Sequence, residues 1–275
     1  MQMRLEWRDM VSDTSGELVL LKIPSGEDTI AGRMYITAGE GPHATIIMLH
    51  GFPGVVMNFD IATSLHQSGW NVLVINYRGA WGSKGDFSFT NSLEDVFATI
   101  KYIKQDDVAI ENRVDMNRIA LIGHSFGGFL ALKTASLDPS IKTIVSMSGA
   151  NFALFVQMMD QSPAAEDKLY SMLEEGTFFL NGSTPEIIVE EVRDNSDKWN
   201  TFLFAPELAN RRLLLTAATH DKELPKEYFH DPLVDMLEKA NAKHLLTKTF
   251  ETEHLYTNVR KELTLTLLKW LEQNL

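Results

Sequence analysis

The chain of 275 residues contains no cysteine, and this absence excludes several kinds of chemistry. Without thiols there is no disulfide framework, no thiolate zinc site, no iron–sulfur cluster and no cysteine nucleophile. Basic residues are also few, since 25 Lys and Arg stand against 37 Asp and Glu and leave a formal net charge of −12. A protein of this charge repels phosphate backbones, so we expect no nucleic-acid partner.

Long apolar runs and cofactor motifs are missing as well. No stretch approaches the roughly 18–20 apolar residues of a membrane-spanning helix, and the mixed charge of residues 1–10 differs from a signal peptide. We therefore expect a cytoplasmic protein without a membrane partner. The sequence has no Walker A motif, no dinucleotide-binding glycine fingerprint and no His or Asp cluster at metal spacing, so we expect no cofactor and no metal.

Strand-like and helix-like segments alternate along most of the chain. Some strand-like runs, such as residues 45–49, are apolar on both alternating faces, which is typical of a parallel sheet covered by helices on both sides. This pattern predicts one α/β domain over residues 1–275, with a mostly parallel sheet that begins with an antiparallel pair. The predicted strands are residues 18–23, 30–36, 44–50, 71–77, 118–123, 143–148, 212–217 and 244–250.

An amphipathic helix is predicted over residues 93–103. Asn91 and Ser92 precede its apolar stripe, and Glu94 and Asp95 follow at once. Small polar residues favour the N-cap, and acidic residues favour the first turn. The sequence therefore predicts that this helix begins near Asn91.

Residues 150–200 interrupt the alternation, because they follow the sixth strand and contain no convincing strand of their own. The segment is helical in pattern and rich in Met and Phe. An insertion of this length is usually functional, so we expect a helical lid or cap. Its apolar stripe, together with Trp81 of an earlier loop, is a candidate substrate wall, although such stripes also pack in cores. The candidate substrate-binding residues are Trp81, Phe155, Met158 and Met159.

The motif G-H-S-F-G-G at residues 123–128 follows a predicted strand and opens a predicted helix. This is the context of a nucleophile elbow, in which a sharp turn lifts a serine above the sheet. Glycines at Gly123 and Gly127 let neighbouring backbone pass close by, and the N-terminus of the helix points at the oxyanion that forms. Ser125 is therefore the candidate nucleophile.

The motif H-G-F-P-G at residues 50–54 directly follows the third predicted strand. A sharp loop at that place presents a backbone N–H toward the elbow. We expect the N–H groups of Phe52 and Phe126 to form the oxyanion hole. Pro53 has no N–H and can only stiffen the loop.

These two motifs resemble those of the α/β-hydrolase superfamily. Arg78-Gly79, Gly82-Ser83 and Gly85 are similar to a loop after the fourth strand in this superfamily. They match the serine hydrolase branch that holds serine aminopeptidase-like, acylaminoacyl-peptidase-like and cinnamoyl-esterase-like proteins. The resemblance implies an eight-stranded, mostly parallel sheet, a lid after the sixth strand, and a catalytic triad in the chain order Ser, acid, His.

The same resemblance implies the other two triad members. Asp221 fits the acid position after the seventh strand, with Pro225 four residues on and Glu223 as a nearby alternative. His254 fits the base position between the last strand and the last helix. It would take the proton of Ser125 and return it to the leaving group, while Asp221 orients and stabilises the imidazole.

The combined pattern predicts a carboxylesterase that acts on small to medium acyl esters through an acyl-enzyme. Its expected partner is a small-molecule ester or a short peptide, and no pattern indicates an oligomer. Other functions stay open on the same residues. An aminopeptidase or acyl-peptide hydrolase and an acyltransferase would use the same triad, and a binding module would use the fold without the chemistry.

Overall fold

An eight-stranded sheet forms the centre of the computed structural model, which describes residues 15–275. The strands are β1 (Glu17–Ser25), β2 (Asp28–Ile36), β3 (His43–Leu49), β4 (Asn71–Ile75), β5 (Val114–His124), β6 (Thr143–Met147), β7 (Arg212–Ala218) and β8 (His244–Phe250). Their order across the sheet is β1-β2-β4-β3-β5-β6-β7-β8. Strand β2 pairs antiparallel with β1 and β4, and the pairs from β4 to β8 are parallel. The predicted α/β fold with an antiparallel start is confirmed.

Helices cover both faces of the sheet. They are α1 (Phe59–Gln67), α2 (Phe89–Ile103), α3 (Asp106–Glu111), α4 (Phe126–Leu137), α5 (Phe152–Gln161), α6 (Pro163–Thr177), α7 (Pro185–Asn195), α8 (Ala205–Leu208), α9 (Lys226–Phe229), α10 (Asp231–Lys239) and α11 (Arg260–Asn274). Within residues 15–275, none of them combines the length and the apolar character that crossing a membrane requires.

The alternation of side chains along the central strands explains the two layers of helices. In β3, Ile46 belongs to an apolar cluster that contains Leu267 of α11, whereas Ile47 belongs to a cluster that contains Phe129 of α4. Successive side chains of a strand point to opposite faces, so a strand that is apolar throughout needs helices on both sides. This layering leaves the carboxyl ends of the parallel strands free to hold a site.

Helix α2 begins at Phe89, two residues before the predicted start at Asn91. Ser88 is the N-cap, and its Oγ accepts a hydrogen bond from the Asn91 N–H at 3.0 Å. Glu94 and Asp95 serve another purpose, because their carboxylates bind the Arg78 guanidinium at 2.6 and 2.7 Å. The predicted start is two residues late because acidic residues near the start of a helix have two possible causes. They can favour the first turn, or, as here, they can form an ion pair with another part of the chain.

Residues 150–200 form a helical segment, called the cap below, that consists of helices α5, α6 and α7 and one short 3-10 turn, Ser196–Trp199. It joins the main apolar core through residues of each helix, including Phe152, Leu173 and Ile188. The Glu191 carboxylate of α7 accepts hydrogen bonds from the Phe89 and Thr90 N–H groups at 2.8 and 2.7 Å. The cap is therefore attached to the first turn of α2.

Candidate active site

Ser125 occupies a strained turn between β5 and α4. Its backbone angles are φ 56° and ψ −116°, a region that residues other than glycine rarely enter and that costs of order 1–3 kcal/mol. Its N–H donates to the Met147 carbonyl of the neighbouring strand at 2.8 Å. A Cβ on Gly123 would overlap the backbone of Gly127, and a Cβ on Gly127 would overlap the backbone of Leu49. The predicted elbow geometry is therefore present, and only glycine fits on both sides of the turn.

His254 and Asp221 form a buried pair at the same edge of the sheet. His254 lies in the loop between β8 and α11, and its Nδ1 is 2.7 Å from Asp221 Oδ2. The other carboxylate oxygen of Asp221 accepts hydrogen bonds from the N–H groups of Glu223 and Leu224 at 3.0 and 2.8 Å. The His254 carbonyl accepts from His124 Nε2 at 2.9 Å. These contacts fix the imidazole so that Nδ1 faces the acid and Nε2 is left for another partner.

The charges around His254 favour its protonated form. Burial by itself would lower the pKa of His254, but the carboxylates of Asp221, Glu223 and Glu253 outweigh it and raise that pKa. Burial would likewise raise the pKa of Asp221, but the bond from His254 and the two backbone N–H groups hold it below its usual value. His124 stays neutral because burial, followed by the charge of His254, lowers its pKa to about 3. The arrangement is suited to holding an imidazolium next to an ionised carboxylate.

Ser125 and His254 are not hydrogen-bonded to each other in this structure. Across residues 15–275, Ser125 Oγ has no hydrogen-bond partner, and His254 Nε2 lies 3.4 Å from Glu223 Oε2. Bonds of this kind often tighten only when a substrate is bound. The structure thus brings the three predicted residues to one edge without closing the contact between serine and histidine.

The loop after β3 lies against the elbow. A Cβ on Gly51 would lie 3.2 Å from Ser125 Cβ, so only a small residue fits beside the serine. The N–H groups of Phe52 and Phe126 have no acceptor in the described part of the chain. Phe126 is the first residue of α4, where helix geometry leaves the N–H unpaired and the dipole positive. Both groups are available to hold a negative oxygen.

His50, the residue before Gly51, stabilises this loop through hydrogen bonds. The side chain is buried, and burial lowers its pKa to about 4, so the imidazole is neutral. Its Nδ1 lies 2.7 Å from the Gly51 carbonyl, and the Tyr77 hydroxyl donates to the His50 carbonyl at 3.0 Å. This geometry suits His50 to support of the loop rather than to proton transfer.

An apolar cavity opens beside Ser125, with about 630 Å³ of empty space that includes its open mouth. Among the described lining residues, Ser125 and Glu223 supply the polar side chains. The apolar side chains come from the loops after β3, β6 and β7, from α2 and α4, and from the three cap helices. They are Phe52, Phe89, Phe126, Ala150, Phe152, Phe155, Leu169, Met172, Leu173, Ile188, Val189, Val192 and Leu224.

The candidate substrate-binding residues differ in their positions. Phe155 lines the cavity, but Trp81, Met158 and Met159 do not. Trp81 lies at the surface, stacked on Phe179 with ring centroids 5.6 Å apart. Met159 is buried in the core, and Met158 packs against that core. Phe155 is therefore the one of the four that the structure brings to the cavity wall.

Part of the wall was not identified from the sequence. Ile188, Val189 and Val192 of α7 line the cavity, and their spacing is that of one helix face. That spacing was a usable signal for an apolar face. It could not distinguish a cavity wall from a core contact.

Metal binding has no visible basis in the part of the chain that the structure describes. No group of three or more His, Asp or Glu side chains there is arranged to hold an ion.

Comparison with known proteins relates this geometry to a family. The family model described as the alpha/beta hydrolase fold matches residues 44–220. The chain is also 25% identical over 234 residues to the acylamino-acid-releasing enzyme of Mus musculus, which covers 80% of this chain and 29% of that protein. The chain thus spans less than a third of that relative's length.

Solved structures resemble the chain over nearly its whole length. The esterase Pf2001 of Pyrococcus furiosus has a TM-score of 0.66 and 19% identity, covering 95% of this chain and 92% of its own. Est1E of Butyrivibrio proteoclasticus, solved with ferulic acid bound, has a TM-score of 0.68 and 17% identity, covering 92% and 98%. Likeness at this level of identity demonstrates a shared fold.

Proposed function

Because the chain belongs to the alpha/beta hydrolase fold family, we propose that it is a serine hydrolase that cleaves carboxylic esters with small to medium acyl groups. One observation carries the proposal. A strained serine and a buried His–Asp pair lie at the same edge of the sheet, and the serine opens on an apolar cavity. A carboxylate that orients an imidazole, together with a serine hydroxyl, is the set of groups that a catalytic triad uses for acyl transfer.

The mechanism follows from the positions of the polar atoms. Ser125 Oγ attacks the carbonyl carbon of the ester as His254 Nε2 takes the hydroxyl proton. The negative oxygen of the tetrahedral intermediate accepts hydrogen bonds from the N–H groups of Phe52 and Phe126. His254 then gives the proton to the leaving alkoxide, and an acyl-serine remains. Water repeats the sequence and releases the carboxylic acid.

The acyl group has one suitable place in this site. The cavity beside Ser125 is apolar apart from the serine itself and Glu223, a lining that is typical of a small-molecule pocket. An apolar acyl chain fills it and leaves the ester bond at Ser125. The cavity therefore supports an ester with an uncharged acyl group.

A second candidate function is cleavage of an acylated amino acid or peptide. The relative in mouse is named an acylamino-acid-releasing enzyme, and its likeness covers 80% of this chain. The same triad hydrolyses amides, in which the leaving group is an amine. The two candidates differ in the leaving group that the enzyme prefers.

The test is hydrolysis of p-nitrophenyl esters with two to twelve acyl carbons, beside acylaminoacyl and aminoacyl p-nitroanilides. We expect ester turnover that Ser125→Ala lowers by about 10⁴-fold or more. Ser136→Ala is the matched control, because Ser136 lies in α4 and its hydroxyl binds, among the described residues, only the Lys133 carbonyl of its own helix. The control should retain full activity.

Three results would overturn the ester proposal. Preferred cleavage of the anilides would favour the peptidase. Full activity in Ser125→Ala would remove the serine mechanism. Failure to hydrolyse either series, with no labelling of Ser125 by a fluorophosphonate, would leave a binding module on this fold.

A further inference from the structure

Glu223 has a position that the proposed mechanism does not use. Its Oε2 lies 3.4 Å from His254 Nε2, and its side chain lines the cavity that contains Ser125. More than half of the side chain, 56%, is exposed. Among the residues that the structure describes, no Lys or Arg forms an ion pair with it. Its negative charge therefore faces the site, where His254, when protonated, is its ion-pair partner.

The position of His254 Nε2 relates Glu223 to the leaving group. In the proposed reaction this nitrogen gives its proton to the leaving oxygen, which requires a separation of about 2.6–3.2 Å. A carboxylate oxygen beside the same nitrogen then lies at most about 7 Å from the leaving oxygen. Atoms within the first few bonds of the leaving alcohol are therefore within reach of this carboxylate.

The rest of the cavity gives a charged group no alternative place. The other lining side chains apart from Ser125 are apolar, and burying an unpaired charge among them is unfavourable. A positive charge on the leaving alcohol would instead pair with Glu223 at the partly exposed mouth. A negative charge there would be repelled.

We propose that Glu223 is a specificity-determining residue that favours esters whose leaving alcohol carries a positive charge within a few bonds of the ester oxygen. Amino alcohols and quaternary ammonium alcohols are the chemical class that fits. This inference rests on the proposed function, since it assigns the leaving group of the same reaction.

Glu223 also has an electrostatic effect on the base that must be separated from substrate selection. His254 is faced by Asp221 and Glu223 from the loop after β7, by Glu253 from its own loop and by neutral His124 from β5. Glu253 also raises the His254 pKa, but it does not line the cavity. Glu253→Gln is therefore the charge control for Glu223→Gln, and it also removes an acceptor of the Leu255 or Thr257 N–H in the loop of His254.

The experiment compares two esters of equal shape and different charge. Hexanoylcholine carries a quaternary nitrogen, and 3,3-dimethylbutyl hexanoate has carbon in its place. We expect the wild type to prefer the choline ester in kcat/KM by roughly tenfold or more, an effect of a single nearby charge. Glu223→Gln should reduce this ratio to near one, and Glu253→Gln should preserve it.

The pH profile provides a readout that is independent of the ratio. An active base must be unprotonated, so kcat/KM falls as the pH falls through the pKa of His254. Removing either carboxylate lowers that pKa, and the acid limb for the neutral ester should move to lower pH in both variants. A changed ratio in Glu223→Gln alone therefore cannot arise from the base.

Two outcomes overturn the inference: a wild-type ratio near one, or an unchanged ratio in Glu223→Gln. Failure of the proposed function would look different, because the wild type would then show no hydrolysis of p-nitrophenyl hexanoate that depends on Ser125. If p-nitrophenyl hexanoate is hydrolysed but hexanoylcholine and 3,3-dimethylbutyl hexanoate have equal kcat/KM, the protein is a hydrolase in which Glu223 does not select the leaving group.

Discussion

The edge of the sheet and the cap meet at Ser125, but different forces hold them. At the sheet edge, backbone groups fix the side chains: Asp221 accepts two backbone N–H bonds, and Ser125 is tied to β6 through its own N–H. The cap contributes apolar walls, and several of its polar contacts involve exposed side chains, such as Arg193 with Asp160 at 2.7 Å. Buried backbone hydrogen bonds hold geometry more firmly than exposed ion pairs do.

This contrast assigns different tasks to the two regions. The sheet edge holds the groups that the proposed chemistry needs, and their spacing tolerates little change. The cap supplies most of the apolar wall, from α5, α6 and α7. Changes to Ser125, Asp221 or His254 at the edge should therefore alter kcat for every substrate, and changes in the cap should alter which acyl chain is preferred.

Among the variants that compare the two regions, Asp221→Asn at the sheet edge should have the largest effect. The amide preserves the shape of the carboxylate, but it cannot stabilise an imidazolium at His254 Nδ1 and favours the wrong tautomer. We expect kcat for p-nitrophenyl hexanoate to fall by about 10⁴-fold. Asp160→Asn in the cap is the control, because the Asp160 carboxylate binds, within residues 15–275, only the guanidinium of Arg193.

The two variants test the division between the regions. The Asp221 variant should lose activity equally for short and long acyl chains, and Asp160→Asn should remain within about twofold of the wild type, as is usual for exposed ion pairs. A loss in Asp221→Asn that is confined to one chain length would contradict the comparison.

The sheet and the elbow could be predicted from the sequence because their signals are local. Apolar runs fix the strands, and the glycines around Ser125 mark a turn that only small residues permit. Pairing of Asp221 with His254 joins residues far apart in sequence, and the order known from a family was needed to expect it.

The cap wall was less predictable because a helix face can meet a cavity or a core. Phe155, Met158 and Met159 lie within one turn of α5 and on one side of it. Phe155 reaches the cavity, while Met159 packs beneath Arg193 of α7, whose Nη2 is 4.0 Å from the Met159 sulfur. The apolar face of α5 can be predicted from the sequence. Which residues of that face line the cavity and which pack in the core cannot.

A pair of glycine substitutions sharpens the comparison. A Cβ on Gly127 would meet the backbone of Leu49 and His50, which cannot move without distorting β3. A Cβ on Gly176 of α6 would meet the ring of Phe52, a side chain that can turn. We expect Gly127→Ala to lower the free energy of unfolding by about 3 kcal/mol or more, at the high end of overpacking costs.

Gly176→Ala should behave differently. Alanine favours a helix over glycine by about 1 kcal/mol, which offsets the displacement of Phe52, so the melting temperature should change little. Because the Phe52 ring lines the cavity, the preferred acyl chain should become shorter. Urea unfolding and the chain-length series of p-nitrophenyl esters measure both effects, and a collapse of stability in Gly176→Ala would show that the cap is as rigid as the edge.

The smallest effects should come from the polar contacts of α7. Glu191 caps the first turn of α2 with two hydrogen bonds, and Glu191→Ala should lower the free energy of unfolding by about 1 kcal/mol, as loss of a helix cap usually does. Arg193→Gln removes exposed ion pairs to Asp160 and Glu166 and should lower the free energy of unfolding by less than about 1 kcal/mol.

Glu191→Ala should also affect substrate binding, since α7 carries wall residues. We expect a higher KM for the longest esters, while kcat stays within about twofold of the wild type, because binding of the ground state and of the transition state weakens equally. Chemical unfolding and steady-state kinetics on one protein preparation measure both quantities. A fall in kcat without a change in KM would contradict this division of tasks. It would mean that the first turn of α2 positions the oxyanion site as well as the cavity wall.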